Sequence, residues 1–185
     1  CSLSNSAPIE DLVNLSSIQS EYKIDYKYPV YSGFLQSTLN VKLHYVFLPS
    51  QNNPSDPLLL WLNGGPGCSS MLGFMLLNGG FNFKPFSKEI EINKYSWNKF
   101  SNILYLESPA GVGFSVGSPY NHSDDEVANE NLVALNSFFI KFPEYRKNDF
   151  YITGESYAGT YIPILANTIL NFNKSSILKI NLKGM

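Results

Sequence analysis

The stretch 150–161 places a serine where a nucleophile could act. An apolar, aromatic run ends at Gly154, and Glu155, Ser156, Tyr157 and Ala158 follow it at the start of a helical pattern. A serine between a strand and a helix, flanked by small residues, is typical of the turn called a nucleophile elbow. Because this turn strains the backbone of the serine, the hydroxyl projects from the sheet edge and can attack an acyl carbon.

An ordinary strand-to-helix turn is the alternative interpretation, because Gly-x-Ser is a common pattern. The last small position holds Ala158 rather than glycine, which weakens the pattern further. If the turn is an elbow, the amide of Tyr157 lies at a helix N-terminus and can donate to a developing oxyanion. The rest of the chain has to decide between the two interpretations.

A second stretch that could take part in chemistry is the glycine-rich loop 63–70. It follows the run 58–62, whose continuous apolar residues predict a strand buried on both faces. Three glycines and a proline within the loop indicate unusual backbone angles and close approach of the backbone to another group. The loop is either a plain connection or the source of a second oxyanion amide.

The elements needed to position these loops alternate between strand and helix. Residues 31–35 and 42–48 predict an antiparallel hairpin, and 102–106 predict a buried strand that leads into a second small-residue loop at 107–115. Ser69 or Ser70 is expected to cap a helix over 71–77. Ser123 and Glu126 form a capping box for a later helix. A helix over 157–171 and a strand within 178–185 complete a largely parallel sheet with helices on both faces.

Size and composition exclude several classes of protein. The chain has 185 residues, enough for one sizeable domain. Its net charge of −2 makes nucleic-acid binding an unfavourable interpretation, and no apolar run reaches membrane-spanning length. The two cysteines, Cys1 and Cys68, do not define a disulfide framework. Asn14, Asn121 and Asn173 each begin an Asn-x-Ser sequence, so they are candidate N-glycosylation sites if the protein is secreted or lumenal.

Three sequence blocks together resemble the serine carboxypeptidase family of α/β-hydrolases, which includes lysosomal and vacuolar enzymes. The similarity covers roughly residues 20 to 185, and the blocks occur in the order and at the spacing of the family. Each block is far more specific than Gly-x-Ser-x-Gly alone. The blocks are WLNGGPGCSS at 61–70, ESPAGVGFS at 107–115 and GESYAG at 154–159.

The resemblance implies an α/β-hydrolase fold and a role for individual residues. It implies that Ser156 is the acylating nucleophile and that the amides of Gly65 and Tyr157 form the oxyanion hole. It implies that Asn63, Gly64 and Glu155 hold the C-terminal carboxylate of a peptide substrate. It also implies that Cys68 pairs with a cysteine beyond this chain, and that no metal or cofactor takes part.

The chain departs from the family pattern in its catalytic acid and base. The hydrolase triad runs Ser, Asp, His along the chain, yet residues 157–185 contain no Asp, Glu or His. Of the two histidines, His44 is expected to be packed within a strand, and His122, inside a glycosylation sequence, to be exposed. We therefore expect residues 1–185 to be the N-terminal portion of a single α/β-hydrolase domain that stops after the elbow helix and the start of the next strand.

A second departure is Leu77, which stands where the family usually carries a glutamate near the carboxylate site. The favoured function is a serine carboxypeptidase that hydrolyses the last peptide bond, with this chain alone inactive. The alternatives are an acyltransferase of the same family, or a non-catalytic binding homologue. The expected partners are a peptide C-terminus and the remainder of the same enzyme, with a homodimer left open. The resemblance places the protein in the lysosome, in the vacuole or outside the cell.

Overall fold

A computed structural model describes residues 7–84, 86–87, 89–117 and 123–185. The strands are β1 (Tyr31–Gln36), β2 (Lys42–Leu48), β3 (Leu58–Leu62), β4 (Phe81–Phe83), β5 (Ile90–Ile92), β6 (Asn102–Leu106), β7 (Phe150–Gly154) and β8 (Leu182–Gly184). Six of them form one sheet in the order β1-β2-β6-β3-β7-β8, and β4 pairs with β5 separately.

Helices precede and connect the strands. The α-helices are α1 (Ser16–Tyr22), α2 (Asp124–Lys141) and α3 (Ala158–Ser175). Short 3₁₀ turns cover Ile9–Asp11, Trp97–Lys99 and Pro143–Lys147, and a π-helical segment covers Gly73–Leu77. No described helix is both long and apolar enough to cross a bilayer.

Strand directions confirm the predicted α/β architecture with an antiparallel hairpin. β1 pairs antiparallel with β2, and β2 pairs antiparallel with β6. From β6 through β3 and β7 to β8, every pairing is parallel. All five residues of β3 and all five of β6 are buried, as predicted for these two strands.

Alternate side chains of β3 enter two separate hydrophobic clusters. Leu58, Leu60 and Leu62 pack with α2 and α3, whereas Leu59 and Trp61 pack on the other side with the segment that follows the glycine-rich loop. Because successive side chains of a strand point to opposite faces, this single strand links both halves of the core. The ends of β3 and β7 are thereby held side by side, which brings the two candidate loops together.

The helix predicted to begin after Ser123 is α2, and it begins where the sequence indicated. Ser123 accepts a hydrogen bond from the Glu126 amide while the Glu126 side chain accepts one from the Ser123 amide, so the capping box is present. Four apolar residues spaced three or four positions apart along this helix are buried. They are Ala128, Leu132, Leu135 and Phe139.

Other predictions of the fold need correction. The prediction of helices on both sheet faces holds only in part, because α2 and α3 share one face and the described part of the other face carries the 73–77 segment. That segment is π-helical rather than α-helical, since the Asn78 amide bonds to the Gly73 carbonyl five residues earlier. The β4–β5 ribbon was not predicted. α3 continues to Ser175, and β8 is only three residues long.

Candidate active site

The turn between β7 and α3 has the strained backbone predicted for an elbow. Ser156 has φ +58°, a left-handed value that non-glycine residues rarely adopt. Its side chain is exposed. A Cβ on Gly154 would lie 2.3 Å from the Leu62 carbonyl oxygen, so only glycine lets β7 approach β3 at this point. The turn therefore presents an accessible hydroxyl beside the end of β3.

The glycine-rich loop packs directly on the elbow through Gly64. A Cβ at this position would lie 2.4 Å from the Tyr157 nitrogen and 2.7 Å from the Glu155 carbonyl oxygen. Gly65, the next residue, has φ +113°. Among the residues that the structure describes, no hydrogen-bond acceptor takes the amide of Gly65 or of Tyr157. Two amides without an internal acceptor, on loops in contact, are what an oxyanion hole requires.

Tyr157 is held on its side-chain face as well. Its hydroxyl donates to Asp124 Oδ2 at 3.3 Å, and its ring lies edge-on to Tyr161 with centroids 5.1 Å apart. The charge of Asp124 is the main reason that the pKa of Tyr157 is raised, followed by burial and the hydrogen bond itself. The contact ties the start of α2 to the residue that follows Ser156 in the elbow.

Asn63 joins the glycine-rich loop to Glu155. Its Nδ2 donates to Glu155 Oε1 at 3.2 Å. Its Oδ1 accepts from Trp61 Nε1 at 2.7 Å and from the Gly73 amide at 3.1 Å, which fixes the orientation of the side-chain amide. The structure thus brings together Asn63, Gly64 and Glu155, the three residues predicted to hold a substrate carboxylate.

The segment after the loop presents leucine side chains rather than acids. Leu72, Leu76 and Leu77 are each roughly half exposed. Ser69 Oγ accepts from the Met71 amide at 3.1 Å, but the Gly73–Leu77 segment itself has no side-chain cap, so the predicted cap is not formed there. Ser70 instead accepts from the Asn63 amide at 3.1 Å. Leu77 therefore adds apolar surface and no charge to this part of the molecule.

His44 is a packed histidine, as predicted. It is 8% exposed, and its ring nitrogens lie 2.9 Å from Ser32 Oγ and 2.9 Å from Glu107 Oε2. Both nitrogens are thus engaged by groups other than Ser156. His122 lies outside the described residues. The general base of an elbow serine is therefore not supplied by any histidine in the part of the chain that the structure describes.

Glu107, which directly follows β6, is a buried acid that the sequence analysis did not single out. Only 1% of it is exposed. Burial by itself raises the pKa of this carboxyl, but hydrogen bonds from His44, Ser69 and the Phe114 amide outweigh burial and lower it. An acid placed directly after a buried strand was the available signal, because a carboxylate buried there needs hydrogen-bond partners.

We expect Glu107 to make the fold sensitive to acid. Its pKa lies below the ordinary 4.5, so the carboxylate stabilises the folded state above that pH and loses this effect as the pH falls through the lowered pKa. Urea unfolding of the full-length protein that contains this chain, at about pH 6 and about pH 3.5, measures the effect. The free energy of unfolding should fall less with acid in Glu107→Gln than in the wild type. Equal falls would contradict the prediction.

The remaining predicted sites differ in their surroundings. Cys68 is an exposed free thiol. Asn14 is exposed, and its Oδ1 accepts from the Ser16 amide and hydroxyl. Asn173 lies within α3, where its Nδ2 donates to the Ile180 carbonyl at 2.7 Å and its Oδ1 accepts from the Ile180 amide. Asn121 and Cys1 lie outside the described residues, within which no group of side chains forms a metal site.

Comparison with known proteins finds a family model and relatives that are named as serine carboxypeptidases. The family model described as serine carboxypeptidase matches residues 21–185. "Serine carboxypeptidase ctsa-4.1" of Caenorhabditis elegans is 54% identical over 148 residues, covering 78% of this chain and 32% of that protein. "Lysosomal protective protein" of Mus musculus is 50% identical over 143 residues, covering 76% of this chain and 30% of that protein. The chain thus spans about a third of the length of these curated relatives.

A solved structure supports the fold assignment. The crystal structure of KEX1(DELTA)P, a prohormone-processing carboxypeptidase from Saccharomyces cerevisiae, superposes with a TM-score of 0.78 at 28% identity. The match covers 97% of this chain and 43% of that one. The predicted α/β-hydrolase architecture is confirmed by this likeness together with the strand pairings.

Proposed function

Because this chain belongs to the serine carboxypeptidase family, we propose that it carries the nucleophile, the oxyanion hole and the carboxylate site of a serine-type carboxypeptidase. The observation that carries the proposal is the positive φ of Ser156 in a turn against which Gly64 is packed. A left-handed serine is strained where glycine would not be, so the presence of serine at this point favours a chemical role.

In the proposed reaction, Ser156 Oγ attacks the carbonyl carbon of the last peptide bond. The hydroxyl proton passes to a histidine and from there to the nitrogen of the departing amino acid, as the carbon–nitrogen bond breaks. Water then attacks the acyl-enzyme and frees Ser156. The amides of Gly65 and Tyr157 stabilise the tetrahedral oxyanion in both steps, and each such donor contributes roughly 3–4 kcal/mol.

The C-terminal carboxylate of the substrate is proposed to bind Asn63, the Gly64 amide and Glu155. The bonds from Trp61 and Gly73 leave Asn63 Nδ2 aimed towards Glu155 Oε1. A substrate carboxylate bound beside Glu155 would be repelled by it, and a proton shared between the two in the complex would remove that repulsion. We therefore propose that the enzyme works best in acid, which agrees with a lysosomal, vacuolar or secreted setting.

The general base and its acidic partner are proposed to come from a part of the enzyme outside these 185 residues. Residues 157–185 contain no Asp, Glu or His, and both ring nitrogens of His44 are engaged elsewhere. Since the chain spans only about a third of its relatives, there is ample length in such proteins for both groups. The same remaining part is proposed to supply the partner of Cys68.

Paired substrates test the proposal in the enzyme that carries this chain. An N-blocked dipeptide with a free carboxylate should be cleaved, and its C-terminal amide should lose about 10- to 100-fold in kcat/KM, as expected for loss of hydrogen bonds to a charged group. Equal rates would contradict carboxylate recognition. Adding an alcohol acceptor separates the remaining alternatives: an ester as the main product indicates an acyltransferase, and no turnover of either substrate indicates a binding homologue.

A further inference from the structure

The Glu107 carboxylate is held by donors from three separate parts of the chain. Its Oε2 accepts from the Phe114 amide at 2.8 Å and lies 2.9 Å from His44 Nδ1. Its Oε1 accepts from the Ser69 hydroxyl. These hydrogen bonds fix the position of the buried carboxylate. Loss of any one donor would leave part of its charge without a hydrogen bond in a low-dielectric interior.

The loop that follows Glu107 is shaped around this carboxylate. Gly113 has φ +56°, and a Cβ there would lie 1.9 Å from Glu107 Oε1. Ser115 Oγ donates to the Glu107 carbonyl at 2.6 Å and accepts from the His44 amide at 2.8 Å. The loop, the carboxylate and β2 therefore form one rigid unit.

Ser69 is the point at which this unit holds the glycine-rich loop. Its hydroxyl donates to Glu107 and accepts from the Met71 amide, so it fixes the end of the loop to β6. Within the loop, the Cys68 amide donates to the Gly64 carbonyl at 3.0 Å, which carries this constraint back to the residues packed on the elbow. Gly65 lies between Gly64 and Cys68, so the hydrogen bond between these two residues also constrains the position of Gly65.

We propose that Glu107, acting through Ser69, is a positioning residue for the oxyanion hole. It touches no reacting atom and sets the distance between the Gly65 amide and the elbow. This inference rests on the proposed function, because it assigns the glycine-rich loop a catalytic amide. A purely structural role for Glu107 would instead lower the stability of the fold while leaving turnover per folded molecule unchanged.

Ser69→Ala tests the proposal in the enzyme that carries this chain, since it removes the link to the loop and leaves the His44 and Phe114 contacts of Glu107 in place. We expect kcat to fall about tenfold, because small misplacements of catalytic groups have effects of this size. The KM for a free-acid dipeptide should stay within about twofold. The Ki of a peptide boronic acid, which forms a tetrahedral adduct, should rise in parallel with the fall in kcat.

Two variants serve as controls. Ser69→Thr keeps the hydroxyl and should recover most of kcat. Ser137→Ala removes a hydroxyl that accepts from the Gln36 amide, outside this network, and should leave kcat and the boronate Ki unchanged. If Ser69→Ala does not accumulate as folded enzyme, Glu107→Gln gives the same test, because an amide cannot accept from all three donors and should lower kcat as well.

The proposal is overturned if Ser69→Ala keeps wild-type kcat and boronate Ki, or loses activity through KM alone. It is also overturned if folded Ser69→Thr is as slow as Ser69→Ala. Ser156→Ala, measured in parallel, separates this failure from that of the proposed function. Turnover that depends on Ser156 but ignores Ser69 contradicts only the positioning role, whereas turnover independent of Ser156 contradicts the function itself.

Discussion

Replacing Ser156 with alanine is expected to lower kcat by roughly 10⁴- to 10⁶-fold, the range found when a serine nucleophile is removed from a triad. The physical reason is that Ser156 supplies the hydroxyl of the elbow, directly before the Tyr157 amide, and the loop that carries the Gly65 amide packs against the same turn. Without Ser156, the remaining catalysis comes from substrate binding and from stabilisation of the oxyanion that forms when water attacks the substrate directly. Steady-state turnover of an N-blocked dipeptide by the enzyme that carries this chain measures the loss.

Ser156→Gly provides a control that separates loss of chemistry from loss of structure. Glycine adopts φ +58° without steric cost, whereas serine pays about 1–3 kcal/mol in strain at such angles. This variant should therefore be as inactive as Ser156→Ala and yet unfold at a higher urea concentration than the wild type. If Ser156→Ala keeps more than about a hundredth of the wild-type kcat, the assignment of Ser156 as the nucleophile is contradicted.

Gly64→Ala is expected to have the second largest effect, a loss of about 10²- to 10³-fold in kcat. The added methyl carbon would lie 2.4 Å from the Tyr157 nitrogen and 2.7 Å from the Glu155 carbonyl oxygen. Both contacts are with backbone, which cannot move aside as a flexible side chain would. The glycine-rich loop must therefore retreat from the elbow, and the two oxyanion amides separate.

The matched control is Gly159→Ala, at the second residue of α3. A Cβ at Gly159 meets nothing within 4 Å, so the same chemical change there should leave kcat unchanged. Alanine in a helix should also stabilise the fold slightly, by about 0.5–1 kcal/mol. Wild-type kcat in Gly64→Ala would show that the contact between the loop and the elbow has no role in catalysis.

Local sequence patterns were sufficient for the elements that carry the site. The unbroken apolar run of β3 predicted a strand buried on both faces, and its side chains do enter both clusters. Ser123 and Glu126 predicted a helix start that depends only on neighbours in sequence. The strain at Ser156 was predictable because small residues surround it where strand meets helix.

The rest depends on contacts between residues far apart in sequence. Glu107 and His44 are 63 positions apart, and no local pattern predicts that they share a hydrogen bond. The π-helical turn after the glycine-rich loop forms where Asn63 captures the Gly73 amide, a contact decided by tertiary structure. The β4–β5 ribbon was missed because three-residue strands carry too little alternation to be recognised. α3 extends past its predicted end because Asn173 is bonded to Ile180.

Covalent labelling by a fluorophosphonate tests the central claim most directly, because such reagents react with activated serines that have an oxyanion hole. After labelling of the enzyme that carries this chain, proteolysis and mass spectrometry locate the adduct. We predict one time-dependent adduct on the peptide that contains Ser156, absent from Ser156→Ala. An adduct on Ser32, whose hydroxyl lies 2.9 Å from His44 Nε2, or no adduct on an active enzyme, would contradict the account.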